Sequence, residues 1–221
     1  IKESKDNMKY FVASFSTGKD STLAVYKAMS EGLVPLGMVI TYNEDADRAW
    51  FHGLPAYIIE RLSHSLSLPI RLIKTTGEEY EQNFEKKLRE FHIAGADTCI
   101  FGDIDIDEHY QWGADRCAAA GLIPYYPLWH KKRRDVVLEF IDSGFTAYIT
   151  AVDTWNMDRS YLGQKLTKKL VDRMEADGID VCGENGEYHT MVTDGPTFYY
   201  PFTWDFGEPV FNGRYAMLPI L

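Results

Sequence analysis

Apolar residues recur along this chain at two spacings, one of strands and one of helices, in regular alternation. Residues 10–15 (YFVASF) form a short apolar run that ends in Ser, Thr and Gly, which predicts a buried strand leaving a sheet through a turn. From Asp20 onward, Leu23, Tyr26, Met29 and Leu33 share one arc at helical spacing, and Gly32 supplies a stop. Residues 34–42 read as a second strand, and Pro55 opens a helix whose Ile58, Ile59, Leu62 and Leu66 face one way. Pro69 introduces a strand over 70–73. Tyr80, Phe84, Leu88 and Phe91 then mark the clearest helix, which ends near Gly95 before a strand over 98–101. A helix over 114–120, a strand over 125–128, a helix over 136–141 and a strand over 147–152 complete the series.

Strands separated by helices of this length need crossover connections, which a parallel sheet with helices on both faces satisfies. The fold class is therefore α/β with a Rossmann-like sheet. After Asp153 the rhythm breaks into one helix (163–176), a Gly-rich polar stretch and an aromatic run over 198–211, which predicts a small C-terminal α+β lobe. Residues 1–7 are polar and precede Met8, the expected native start, so they read as a tail. The expected division is a tail (1–7), a main domain (8–152) and a substrate or lid lobe (153–221).

Composition narrows the function classes. With 45% hydrophobic and 25% charged residues in 221, the chain is ordinary for a soluble globular protein. No window approaches the roughly 18–20 apolar residues of a membrane-spanning helix, and no secretory pattern opens the chain, so the cytoplasm is expected. Three cysteines without a CxxC pair indicate neither a disulfide framework nor a structural zinc site. The net charge of -10 opposes broad binding to nucleic acid. The basic run 130–134 (HKKRR) is the exception, and it reads as a solvated first turn of a helix.

The candidate chemistry lies where the first strand meets the first helix. Ligands of open parallel sheets bind beyond the carboxyl ends of strands, where a turn into a helix offers backbone N–H groups and the positive end of the helix dipole. Ser14-Phe15-Ser16-Thr17-Gly18-Lys19-Asp20-Ser21 occupies that place. Gly18 permits close backbone approach, Ser16 and Ser21 add hydroxyls, and Lys19 adds positive charge. A Walker loop is excluded, because Ala13 and Asp20 stand where it needs Gly and Ser or Thr; a dinucleotide fingerprint is excluded because only one of its three glycines is present. A bland alternative stays open at this point, in which Ser and Asp merely cap the helix.

The loop resembles the SGGxDS signature of the PP-loop (N-type) ATP pyrophosphatases: Ser16, Gly18, Asp20 and Ser21 agree, and Thr17 stands where the first Gly is usual. Phe51-His52-Gly53, Gly102-Asp103-Ile104, Pro127-Leu128-Trp129 and above all the run 183–190 (GENGEYHT) are similar to the diphthine–ammonia ligase (DUF71) family, collinear with it from Met8 to Pro196. Enzymes of diphthamide synthesis carry an acidic or otherwise different residue where this chain has His189, so the chain looks more like the bacterial branch. Bacteria make no diphthamide, and carboxylate adenylation is accordingly a better expectation than the diphthine substrate.

The resemblance implies a HUP-type sheet, ATP and Mg2+. It also implies a ligase that adenylates a carboxylate, small-molecule or protein-borne, releasing pyrophosphate and then AMP as ammonia or an amine forms the amide. No glutaminase domain fits this length, so free ammonia or a partner is expected to supply the nitrogen. For ATP the resemblance implies Ser14, Ser16, Thr17, Gly18, Lys19, Ser21, Tyr42 and Asp103; for catalysis Asp20, Glu184, Glu187 and His189; for metal Asp20 and Asp103; for substrate His52, Arg116, Tyr188 and Thr190.

Several residues carry readings of their own. Glu184 and Glu187 bracket the turn dipeptide Asn185-Gly186, so both carboxylates could project toward one point and hold magnesium or ammonium. The alternative is a solvated hairpin tip. Asp103 follows a strand and so falls on the ligand edge, although Asp103, Asp105 and Asp107 could equally cap the next helix. A lone His52 or Arg116 is more often structural, and Trp129 and Trp155 read as packing residues first. Two other functions stay open: a tRNA-modifying PP-loop enzyme and a non-catalytic nucleotide sensor. A homodimer is also left open.

Overall fold

The computed structural model describes residues 9–50 and 52–221, so the tail, Met8 and Phe51 lie outside the described residues. Strand β1 (Tyr10–Ser14) is central in a mostly parallel sheet, between β2 (Val34–Asn43) and β5 (Thr98–Ile100). β4 (Ile70–Thr75) pairs with β2, β6 (Ile123–Tyr125) pairs with β5, and the two-residue β3 (Arg48–Ala49) adds an antiparallel pairing at the end of β2. The chain thus winds outward from β1 through β2 to β4, then returns past β1 to β5 and β6. The reversal lies between β1 and β5, the switch point at which open sheets of this kind bind ligands.

Alternation along each strand feeds two cores. Phe11 and Ala13 of β1, with Met38 and Ile40 of β2, join α1 (Lys19–Ser30), α2 (Ala56–Leu66) and α5 (Arg133–Asp142) in one cluster. Val12 and Val39 point the other way, onto Phe84 and Leu88 of α3 (Tyr80–Ile93) and Cys117 and Ala120 of α4 (Asp107–Ala120). A period of two in the strands and of 3.6 in the helices therefore places helices on both faces, as the sequence predicts.

The last part of the chain departs from the expected series. Residues 147–152 were expected to extend the parallel sheet. Instead β7 (Thr146–Asp153) pairs antiparallel with β8 (Tyr188–Asp194) and β10 (Tyr215–Met217), and β9 (Val210–Asn212) completes a second, four-stranded sheet. The physical reason is local pattern without partner information: a buried apolar run looks alike in a parallel and an antiparallel sheet. The helix expected over 163–176 is α6 (Lys168–Ala176), started by Thr167, whose hydroxyl accepts the Leu170 N–H at 3.2 Å. Trp129 packs among Tyr110, Tyr126 and His130, whereas Trp155 is 76% exposed beneath Arg214 and is not a packing residue. Ala147, Ile149, Val152, Met191 and Val192 of the second sheet enter the same core as α1 and α5, so the two sheets share one apolar interior.

Candidate active site

At the carboxyl ends of β1, β2 and β5 a cavity of about 600 Å3 opens, lined by the Ser14–Ser21 loop, Gly102-Asp103, and the segment around Gly183-Glu184 and Tyr188-His189-Thr190. Of the residues expected in the site, Ser14, Ser16, Gly18, Lys19, Asp20, Ser21, His52, Asp103, Glu184, Tyr188, His189 and Thr190 line it. Helix α1 begins at Gly18 with no side-chain cap, so the reading in which Ser and Asp merely cap this helix does not hold. The hydroxyls of Ser21 and Thr22 bond back to the Gly18 carbonyl at 3.3 and 2.8 Å. Gly102 is required for close approach: a Cβ there would lie 2.7 Å from the Ser21 nitrogen and 2.8 Å from the Asp20 carbonyl carbon. This contact brings Asp103 beside the start of α1.

The loop is closed against the second sheet. Val192 N–H donates to the Thr17 carbonyl at 3.0 Å, and Lys19 N–H donates to the Thr190 hydroxyl at 3.1 Å. Ser16 N–H donates to the Ser21 hydroxyl at 3.2 Å, and Gly18 N–H reaches the Ser16 hydroxyl at 3.4 Å. These loop amides, expected to be open to a phosphate, thus have hydroxyl acceptors. Thr17 adopts φ 71°, the left-handed geometry for which Gly is usual, and its buried hydroxyl has no hydrogen-bond partner.

Charge is concentrated beside the loop. The Lys19 ammonium donates to Asp20 at 2.8 Å and to the Cys182 carbonyl, beside the Tyr188 ring. Burial opposes the charge on Lys19, but Asp20, Tyr188, Cys182 and Glu184 together outweigh it and hold the ammonium well above its usual range. Side-chain ligand atoms of Asp20, Cys182 and Glu184 lie within 4.8 Å of one another. Burial, then the negative charge of Asp20, pushes the Glu184 carboxyl up to about 7. Asp103 faces His109, with 3.3 Å between Oδ1 and Nδ1, and that bond raises the imidazole. His52 and His189 pack ring to ring at 4.8 Å. Burial drives His52 down to about 3 and lowers His189 as well, so both are neutral near pH 7.

Four expected residues do not line the cavity. Thr17 points inward and supports the loop. The Tyr42 hydroxyl donates to Asp47 at 3.0 Å. Arg116 pairs with Glu81 at 2.6 Å and Glu85 at 3.0 Å, fastening α4 to α3. Glu187 accepts from Asn185 N–H at 3.1 Å and from its amide at 3.2 Å. That bond closes the turn and separates Glu187 from Glu184, because a carboxylate two residues from an amide nitrogen folds back onto it more readily than it reaches outward. Residues not foreseen complete the wall: Tyr80, Phe84, Phe101, His109 and Trp112 line it, and Cys182 reaches Asp20. His109 follows Asp103 by six residues on the first turn of α4, a signal the sequence did carry. The aromatic wall had none, because helical spacing cannot say which end of an apolar stripe stays open.

Two family models match successive parts of the chain. A diphthamide synthase N-terminal domain matches residues 8–124, and a diphthamide synthase C-terminal domain matches residues 132–212. A mouse protein named diphthine–ammonia ligase is 27% identical over 94% of this chain and 87% of its own length. The bovine protein of that name is 32% identical over the same shares, and the zebrafish protein 27% identical over 95% of this chain and 91% of its own. A phosphate-loop strand–turn–helix facing an acidic turn, with both family models in register along the chain, makes this protein a member of the diphthamide synthase family.

Proposed function

We propose that this chain is an ATP-dependent ligase of the diphthine–ammonia ligase type, which adenylates a substrate carboxylate and converts it to an amide. The observation that carries the reading is that the start of α1, whose N-cap Gly18 has no side chain of its own, lines the same cavity as Asp20, Asp103 and Glu184. The carboxylate oxygen attacks the α-phosphorus of ATP, the bond to the β-phosphate oxygen breaks, and pyrophosphate leaves. Ammonia or an amine then attacks the acyl carbon, the bond to AMP breaks, and an amide and one proton are released.

Ser16, Gly18, Ser21 and Lys19 hold the phosphate tail. The backbone amides of Ser16, Gly18 and Lys19 now donate to neutral hydroxyls, and a phosphate oxygen replaces these because hydrogen bonds to an ionised acceptor are roughly twice as strong. Asp20 and Asp103 are the donors we assign to magnesium. After burial, their negative charges raise Glu184, a repulsion that a hard divalent cation relieves, and their oxygens suit it better than the protonated Cys182. When bound, magnesium would neutralise phosphate charge. Glu184, close to neutrality in pKa, takes the proton from the incoming ammonium. His52, neutral, packs over Gly18 with the ring of the neutral His189 beside it, and the pair keeps water from the loop; His189 and Tyr188 with Thr190 orient the acceptor. Positioning and charge stabilisation supply the rate.

The test is pyrophosphate release from ATP, magnesium and ammonium across a library of metabolite and peptide carboxylates, with a tRNA arm. Release with one carboxylate class, AMP and amide in equal amounts, and silence in Asp20→Ala is the expected result. Binding of ATP with no release in any arm, or release only with tRNA, contradicts the reading.

A further inference from the structure

The basic run 130–134 leads into the first turn of α5, as expected, but its Arg133 is tied into the site and not left to solvent. Arg133, the first residue of α5, donates through Nε and Nη2 to both carboxylate oxygens of Asp105, at 2.8 and 2.7 Å. Through Nη1 it donates to Asp180 at 2.5 Å. Asp105 belongs to the connection between β5 and α4 that carries Asp103. Asp180 opens the connection between α6 and β8 that carries Glu184. The same Asp180 carboxylate accepts the backbone N–H of Cys182 at 3.0 Å and of Glu184 at 3.1 Å. One guanidinium therefore ties together the two acidic loops that line the cavity, and its second partner holds the backbone of the glutamate that faces Asp20. A planar fork is the group that can serve a bidentate carboxylate and a second one at once; an ammonium cannot. His130 N–H, donating to the Ile104 carbonyl at 2.7 Å, fastens the same junction through the backbone.

We propose that Arg133 is a positioning residue, which through Asp105 and Asp180 sets the Glu184 loop at its working distance from Asp20 and Asp103. The consequence for turnover rests on the ligase reading above; the geometric claim does not.

Arg133→Ala, Arg133→Lys and Asp180→Asn are compared with the unsubstituted protein by two independent readouts. Hydrogen exchange reports the amides of residues 180–187 without any need for activity. In Arg133→Ala these amides are expected to exchange at least about 10-fold faster, with residues 10–30 unchanged. In the ligase assay, kcat falls about 10- to 100-fold, the range usual for partners that orient an active-site ligand, while the Kd for ATP without magnesium stays within about 3-fold. Arg133→Lys restores less than half of the loss, since it keeps the charge and loses the fork. Unchanged exchange in Arg133→Ala overturns the proposal, as does faster exchange with an unaltered kcat, or full rescue by lysine. If the wild-type protein releases no pyrophosphate with any carboxylate, the ligase reading falls, and the exchange result alone still supports or overturns the clasp.

Discussion

Thr17 shows how much a single residue carries in the phosphate loop. Its left-handed φ of 71° would suit Gly, and its hydroxyl is buried without a partner. A β-branched residue held there costs on the order of 1 kcal/mol or more, and the orphan hydroxyl adds to it. Thr17→Gly is therefore expected to raise stability by about 1 kcal/mol with ATP affinity retained, measured by urea unfolding and calorimetric titration; a loss of stability would mean that the Thr17 methyl packs more strongly than the strain costs. His52 and Glu184 give opposite pH slopes. His52 is held near 3 by burial against 6.5 unfolded, so the unfolded chain binds the extra proton between those values; its contribution is complete above pH 6.5 and is lost as pH falls toward 3. Glu184 is held near 7 by burial and Asp20 against 4.5, so the folded chain binds the extra proton and stability is lost as pH rises from 4.5 through 7. Denaturant midpoints should show His52→Gln losing less stability than wild type from pH 7 to 4, and Glu184→Gln gaining at pH 8 but not at pH 4.

Among the elements, β7 is the hinge of the arrangement. Its last residue, Asp153, is fully buried and accepts from Trp155 N–H at 3.1 Å, from the Asn156 amide at 2.7 Å and from Arg214 Nε at 2.7 Å. The hydrogen bond from Arg214 holds this carboxyl down to about 2. The pair joins β7 to the β9–β10 hairpin, and Thr154 N–H donates to the Arg214 carbonyl at 2.9 Å in support. Arg214 is 37% exposed, so water screens this pair and solvates the guanidinium when its partner is gone. Asp153→Ala is nevertheless expected to lower stability in equilibrium unfolding, because the Trp155 and Asn156 donors lose their buried acceptor. A loss under about 1 kcal/mol would show that the hairpin is held by its ladder alone.

The whole molecule is expected to unfold in one step. The second sheet shares its apolar core with α1 and α5, and β8 is bonded to the phosphate loop through Thr17 and Thr190. Neither sheet can open without exposing the other's interior. The ratio of calorimetric to van't Hoff enthalpy should be close to one for the ligand-free protein. Two resolved heat-absorption peaks would show that the sheets are independent. Among the described residues no helix is long and apolar enough to cross a membrane, which agrees with the absence of such a run in the sequence.

Local patterns determined a great deal by themselves. The 3.6-residue stripes of α1, α2 and α3, the strands 10–15 and 34–42, and the loop from Ser14 to Ser21 each follow from neighbours within a few residues, and such features are written in the sequence directly. The place of Asp103 at the carboxyl end of β5 was legible for the same reason. Tertiary structure alone decided the rest. Whether residues 147–152 pair parallel or antiparallel depends on β8 and β10, which lie far along the chain. That Glu184 faces Asp20 while Glu187 turns away depends on which amide is nearest in space. Arg116, Tyr42 and the basic run each found carboxylates that spacing could not name, because an ion pair is set by distance between folded elements and leaves no period in the sequence.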